Sequence, residues 1–232
     1  MGLRPLAYLL GLATASNIGS VATITGNPQN ILIGSASRIG YRDFLAHLGP
    51  VAMLGLFVGW ALLHWIYLRN ETKDAHLLDS TAQPAEENRP HAAWPVAVTF
   101  GVLAGFLAGY PPPLVAAAGG ALLLIRRTRH PKEIYGDVDW DLLVLFLGLF
   151  LILGGAEQAG ITRELLGVAE RWNLHNSRIL VGIVTLLSNI DSNVPAVMLL
   201  KGLIPRFPDA HTARLMLAMA STLAGNLTIT AQ

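Results

Sequence analysis

Three stretches of this chain place hydroxyl and amide side chains inside otherwise apolar sequence, and these could do chemistry. The first reads S-N-I-G-S-V-A-T-I-T-G-N-P-Q-N from Ser16 to Asn30, with apolar residues on either side. The second is S-N-I-D-S-N-V-P from Ser188 to Pro195, and the third is S-T-L-A-G-N-L-T-I-T-A-Q from Ser221 to Gln232. Hydroxyl and amide oxygens bind sodium, whereas hydroxyls, amide N–H groups and backbone donors freed from a helix bind an oxyanion. The same residue types can instead serve only their own helix, bonding its carbonyls or holding it to a neighbour. Scattered cases such as Thr99 and Thr185 are read in that second way, and the clustered stretches as an ion or substrate site.

Catalysis is the weaker use of these residues. Ser20 follows Gly19, but no G-x-S-x-G surrounds it, and His76, His91, His130, His175 and His211 are all expected in loops, away from any serine. H-E-x-x-H is absent, as is cysteine, which removes thiolate metal sites, disulfides and cysteine nucleophiles. The chain is therefore expected not to be an enzyme, to carry no cofactor, and to hold no metal beyond a sodium site. An intramembrane serine hydrolase is the competing class.

The elements that would position these stretches are set by composition. Of 232 residues, 53% are hydrophobic and 13% charged, far below the quarter of charged residues usual in soluble domains, which predicts a membrane protein. A net charge of +1 with scattered Lys and Arg gives no basic face for nucleic acid. The opening apolar run leads into Asn17 and Thr23 without a small-residue cleavage pattern, so no signal peptide is expected.

A hydrocarbon core of about 30 Å needs roughly 20 apolar residues of helix. The first candidate span, from about Pro5 to Ala36, is broken in the middle by Gly26, Asn27 and Pro28, a turn signal. The next, Phe44 to Leu68, ends in interfacial aromatics, with His64 expected to reach toward headgroups. A polar linker over 69–93 divides residues 1–68 from 94–232. Beyond it, Trp94 to Tyr110 and Leu114 to Ile125 form a pair turned by Pro111 to Pro113. The basic cluster Arg126, Arg127, Arg129 and Lys132 does not fix orientation, because other loops carry arginine too. Asp139 and Asp141 open the apolar run Leu142 to Leu153 as caps, and Gly160 to Trp172 reads as an interfacial amphipathic helix.

From about 179 to 204 an apolar run is split at Ser188 to Pro195 into halves too short to cross a bilayer. The expected solution is a re-entrant hairpin with a polar tip, allowed only where the tip is buried in protein or lines water. Asp191, in that tip, is the only carboxylate expected at membrane depth and is the candidate coupling residue, against the alternative of a helix cap in a wet vestibule. The segment over about 213–232 is expected to be a second interrupted helix. It aligns without gaps on Ser16 to Asn27, pairing Ser16 with Ser221, Thr23 with Thr228, Ile24 with Ile229 and Thr25 with Thr230. Two interrupted segments at corresponding places in two halves point to a transporter's binding site.

Ser16 to Asn30, V-D-W-D-L-L-V-L-F-L-G-L-F from Val138 to Phe150, and S-N-V-P-A from Ser192 to Ala196 together resemble the ion transporter superfamily. The likeness is to its citrate-transporter-like, arsenical-pump and sodium/proton-antiporter members. The resemblance implies an all-α polytopic membrane protein with an inverted-repeat transporter fold, a re-entrant hairpin and interrupted helices, working as a secondary transporter, commonly by an elevator-like motion. It implies that Ser192 and Asn193 touch substrate and sodium at the hairpin tip, with Ser188 and Asn189 one turn earlier. Ser221, Thr222, Gly225, Asn226 and Thr228 would face them from the second interrupted segment. Ser16, Asn17, Gly19, Thr23, Thr25, Gly26, Asn27 and Asn30 would serve the first. Measured against the family pattern the chain is expected to be incomplete at both ends, lacking the first hairpin.

The expected function is secondary active ion transport, as an anion permease for a carboxylate or arsenite-like species, coupled to sodium or protons. The alternatives are a sodium/proton antiporter of the same superfamily and a non-functional truncated membrane fragment. The expected partners are membrane lipid, a small inorganic or organic anion or sodium, and either a second copy or a missing N-terminal half. The expected location is the bacterial inner membrane. No arginine stands at a polar tip to demand a negative charge, so a neutral species such as arsenous acid stays open.

Overall fold

The computed structural model describes residues 5–68, 93–125, 135–160, 176–190 and 192–227, with Glu164 and Gly167. Among these residues every regular element is helical. They form two compact units, one over Met1–Ala13 and Phe57–Asp137, the other over Thr14–Leu56 and Val138–Gln232. The polar linker over 69–93, bar its last residue, and the basic cluster from Arg126 to Lys132 lie outside the described residues, as do Asp191, Thr228 and most of Gly160 to Trp172.

In the first unit, α4 (Ala93–Ala108) and α5 (Pro112–Ile125) pack as an antiparallel pair, burying Val98, Phe106 and Gly119. The turn between them is closed by Gly109, whose φ of +90° suits a residue without a Cβ, and by the Tyr110 N–H donating to the Gly105 carbonyl at 3.2 Å. The end of α3, from Phe57, also belongs here: α3 (Tyr41–Leu63) runs on into a wider π turn over His64–Leu68, where His64 stacks on Trp60.

The second unit carries the polar stretches. α1 (Pro5–Ser20) stops short, and after a single 3₁₀ turn (Ile24–Gly26) the chain resumes as α2 (Pro28–Ser37). α6 (Trp140–Gln158) begins at Asp139, whose carboxylate accepts the Leu142 N–H at 2.9 Å in the capping role expected of it. α7 (Ser177–Ile190) turns at Ser192 into α8 (Asn193–Leu200), followed by a 3₁₀ helix (Lys201–Arg206) and α9 (Ala210–Ala224).

Packing follows the side-chain pattern of each helix. α7 buries Leu180, Val184 and Ser188, four residues apart and therefore on one face, against α9, its closest neighbour. α9 is small-residue rich, and its Ala213, Ala218, Ala220 and Ala224 are buried, which lets α7, α8 and α2 approach it. The core of this unit thus sits around α9. One expectation is corrected: His211 is not in a loop but in the first turn of α9, because Asp209 accepts the Thr212 N–H at 3.1 Å and starts the helix at Ala210.

Among the described residues two helices, Tyr41–Tyr67 and Trp140–Gln158, are long and apolar enough to cross a membrane. No residue of α6 is buried within the structure.

Candidate functional site

The break after α1 is built by its own polar residues. At its end the N–H groups of Val21 and Ala22 bond back three residues, to the carbonyls of Ile18 and Gly19 at 3.2 Å each, which tightens the last turn and stops the helix. Asn27 then starts α2, accepting the Asn30 N–H on Oδ1 at 2.9 Å, while Pro28 takes the first helical position, where a missing N–H costs nothing. Asn30, with no exposed surface, donates Nδ2 to the carbonyls of Ser20 at 3.1 Å and Thr23 at 3.0 Å, which the interrupted helix would otherwise leave open. These two bonds fix the amide, since the inverted orientation would set its oxygen against two carbonyls. Gly26 lies so close to the Ser20 carbonyl that a Cβ there would overlap it.

The end of α9 repeats this geometry. The N–H groups of Gly225, Asn226 and Leu227 bond back three residues, to Thr222, Leu223 and Ala224 at 3.3, 3.1 and 3.0 Å. When Ser16 is aligned with Ser221, the bonds of Asn226 and Leu227 are those of Val21 and Ala22. The aligned residues Asn17 and Thr222 also touch, Asn17 Nδ2 donating to the Thr222 carbonyl at 2.8 Å.

Thr222 is the point on which the two segments close. It is fully buried, and its hydroxyl oxygen accepts Asn27 Nδ2 at 2.9 Å and Gln29 Nε2 at 3.3 Å. Asn27 Nδ2 also reaches Ser20 Oγ at 3.1 Å, and that hydroxyl donates to the Asn17 carbonyl at 2.7 Å. The start of α8 joins at Gly225, where an added Cβ would stand 3.2 Å from Asn17 Nδ2 and 3.7 Å from Asn193 Nδ2.

The amide nitrogens of Asn17, Asn27, Gln29 and Asn30 are thus spent on internal bonds. Asn30 Oδ1, Asn193 Oδ1, Asn226 Oδ1 and Ser188 Oγ are buried without a hydrogen-bond partner. Leaving such atoms unmet costs about 1–3 kcal/mol each, so they call for a cation, a hydrogen-bond donor on a ligand, or water. Among the described residues no three of His, Asp and Glu are arranged to hold a metal ion.

The remaining expected residues lie elsewhere. Ser16 and Ser192 are exposed, and nothing approaches within 4 Å of the position a Cβ would take on Gly19. Thr25 Oγ1 pairs with the Tyr41 hydroxyl at 3.1 Å, Ser221 Oγ donates to the Ala218 carbonyl at 3.1 Å, and Asn189 Nδ2 donates to the Thr185 carbonyl at 2.8 Å. Asp191 and Thr228 are outside the described residues. Gln29 and Ser20 were not among the expected site residues. Both stand in the same polar run as their partners, which was the available signal.

Described residues that are helical in every regular element, with long apolar helices and polar side chains buried between them, have the build of an integral membrane protein. Over residues 1–224 its sequence matches the citrate transporter family, and the chain belongs to that family. It is 27% identical over 250 residues to an uncharacterized transporter of Mycobacterium tuberculosis, covering 100% of this chain and 58% of the relative. It is 26% identical over 290 residues to a silicon efflux transporter of Oryza sativa subsp. japonica, covering 96% and 60%. It is 30% identical over 196 residues to an inner membrane protein of Escherichia coli, covering 83% and 49%. The chain spans between 49% and 60% of the length of these relatives.

Proposed function

We propose that this chain forms part of a secondary active transporter that moves a small anion, a carboxylate or an arsenite-like species, coupled to sodium or protons. The observation that carries this reading is the closure of the ends of α1 and α9 and the starts of α2 and α8 around Thr222 and Gly225, with buried oxygens left unbonded. The matched helix ends and the contact of Asn17 with Thr222 support a pair of inverted repeats. At 1.5 Å per residue α7 reaches about 21 Å and α8 about 12 Å, each short of the bilayer core, which supports a re-entrant hairpin.

In this reading the coupling cation sits among the amide oxygens of Asn30, Asn193 and Asn226. The anion is met at the start of α8, where Ser192 makes no side-chain capping bond and the first backbone N–H groups stay available. Asp191 is the coupling carboxylate, and Asp191→Asn is expected to abolish the pH or sodium dependence of uptake. The facing wall comes from a further segment or a second copy, and the protein works in the inner membrane of a bacterium, as the relative from Escherichia coli is named to do.

A second reading rests on the same leftover atoms. Unbonded oxygens accept hydrogen bonds, which suits a neutral solute carrying hydroxyls, such as arsenous acid, and one relative is named a silicon efflux transporter. A sodium/proton antiporter would need the cation sites alone.

Reconstitution into liposomes separates these. Radioactive sodium should bind the purified chain and lose most of its binding in Asn30→Ala and Asn226→Ala. Citrate flux driven by a sodium or proton gradient supports the anion reading, arsenite or silicic acid flux the neutral one, and sodium flux against a pH gradient the antiporter. Absence of both sodium binding and flux would reject the proposal.

A further inference from the structure

Away from the polar core, the first turns of α3 and α9 bring together a second cluster. Asp43 is the third residue of α3, His47 stands one turn further along, and His211 is the second residue of α9. His211 Nε2 lies 2.6 Å from Asp43 Oδ2, and His47 Nδ1 lies 3.1 Å from Asp43 Oδ1 and 2.8 Å from the Asp43 carbonyl. The two imidazole rings meet edge to face, with centroids 5.3 Å apart. The three side chains are 41–53% exposed and stand near the starts of their helices.

We propose that Asp43, His47 and His211 form a proton-binding site, in which either imidazole, but not both at once, takes up an added proton beside the single carboxylate and so tightens the link between α3 and α9. Each carboxylate oxygen already faces an imidazole N–H, which fixes the neutral tautomers and leaves His47 Nε2 and His211 Nδ1 to accept protons. The first proton taken up is balanced by the Asp43 charge. A second would place two cations 5.3 Å apart with one anion between them.

The surroundings also oppose a second proton. α3 adds Arg42 beside the cluster, and α9 adds Arg214 and, just before its start, Asp209. Of the elements packed against α9, α2 and α8 carry no ionisable side chain, α7 carries Arg178, and the 3₁₀ helix carries Lys201 and Arg206. Both helix starts point their positive dipole ends at the cluster. The site is therefore built to hold one added proton rather than two.

This site stands independently of any transport. Its test is a histidine NMR titration of the full chain in lipid nanodiscs. In the parent, the His47 and His211 signals should move together, with steps in common. His47→Gln, a change at a half-exposed position that leaves the core untouched, should turn the His211 curve into a single step, and Asp43→Asn should displace it. His64→Gln, at the stacked pair with Trp60, should leave it as it was. Thermal unfolding should agree: the difference in Tm between pH 8 and pH 5 should change in His211→Gln and stay as in the parent in His64→Gln. A His211 curve identical in the parent, His47→Gln and Asp43→Asn would overturn the proposal.

Discussion

Thr222 Oγ1 has two lone pairs, and Asn27 and Gln29 occupy both. The hydroxyl therefore acts toward anything else only as a donor. Thr222→Val keeps the shape and leaves two amide N–H groups without an acceptor, at an expected cost of about 2 kcal/mol or more. Thr222→Ser keeps the acceptor and loses one methyl, at about 1 kcal/mol. Unfolding of the detergent-solubilised chain measures both, and equal losses in the two variants would show that the hydroxyl contributes nothing. None of this pairing was legible in the sequence, because Asn27 and Thr222 stand 195 residues apart and neither residue type names its partner. Gln29 escaped for a related reason: a longer amide at a helix start reads as solvated, whereas here it is 4% exposed and points inward. The link from Asp43 to His211 spans 168 residues and was equally hidden.

Helix ends, by contrast, were readable. The Gly26, Asn27, Pro28 signal marked the break after α1 because each residue has a local reason to be there: contact with the Ser20 carbonyl, a cap, and a first helical position. Gly26→Ala should force that segment open, seen as a loss of several degrees in Tm and faster amide exchange at Asn30. The start of α9 was placed late because Asp209 was not recognised as its cap. Its exposed carboxyl is held below the ordinary value of 3.8 chiefly by the side-chain hydrogen bond from Thr212, with the Thr212 N–H adding to it. A carboxyl lowered in the folded state stabilises above its unfolded value, and that contribution disappears as pH falls through the folded one. Asp209→Asn should therefore matter at pH 7 and become indistinguishable from the parent in strong acid, as followed by the pH dependence of Tm.

At the scale of the molecule, composition alone set the class, since 13% charged residues cannot cover a water-facing surface. The outer face of α6 is its consequence, with Val144, Leu145, Leu151 and Ile152 all between 65% and 71% exposed. The absence of cysteine makes this directly testable. Leu151→Cys in intact membranes should resist a water-soluble maleimide, whereas Asn176→Cys, at the exposed start of α7, should react within minutes. Equal labelling would place α6 in water. The contact between Asn17 and Thr222 has a consequence at this scale as well. Two identical subunits facing each other across a two-fold axis would have to carry the same residue at both positions and exchange the same bond in both directions. Here one side is an amide and the other offers a carbonyl, so the bond runs one way only. On the proposed reading of two related halves, joining them in one chain is what released this pair from having to be alike.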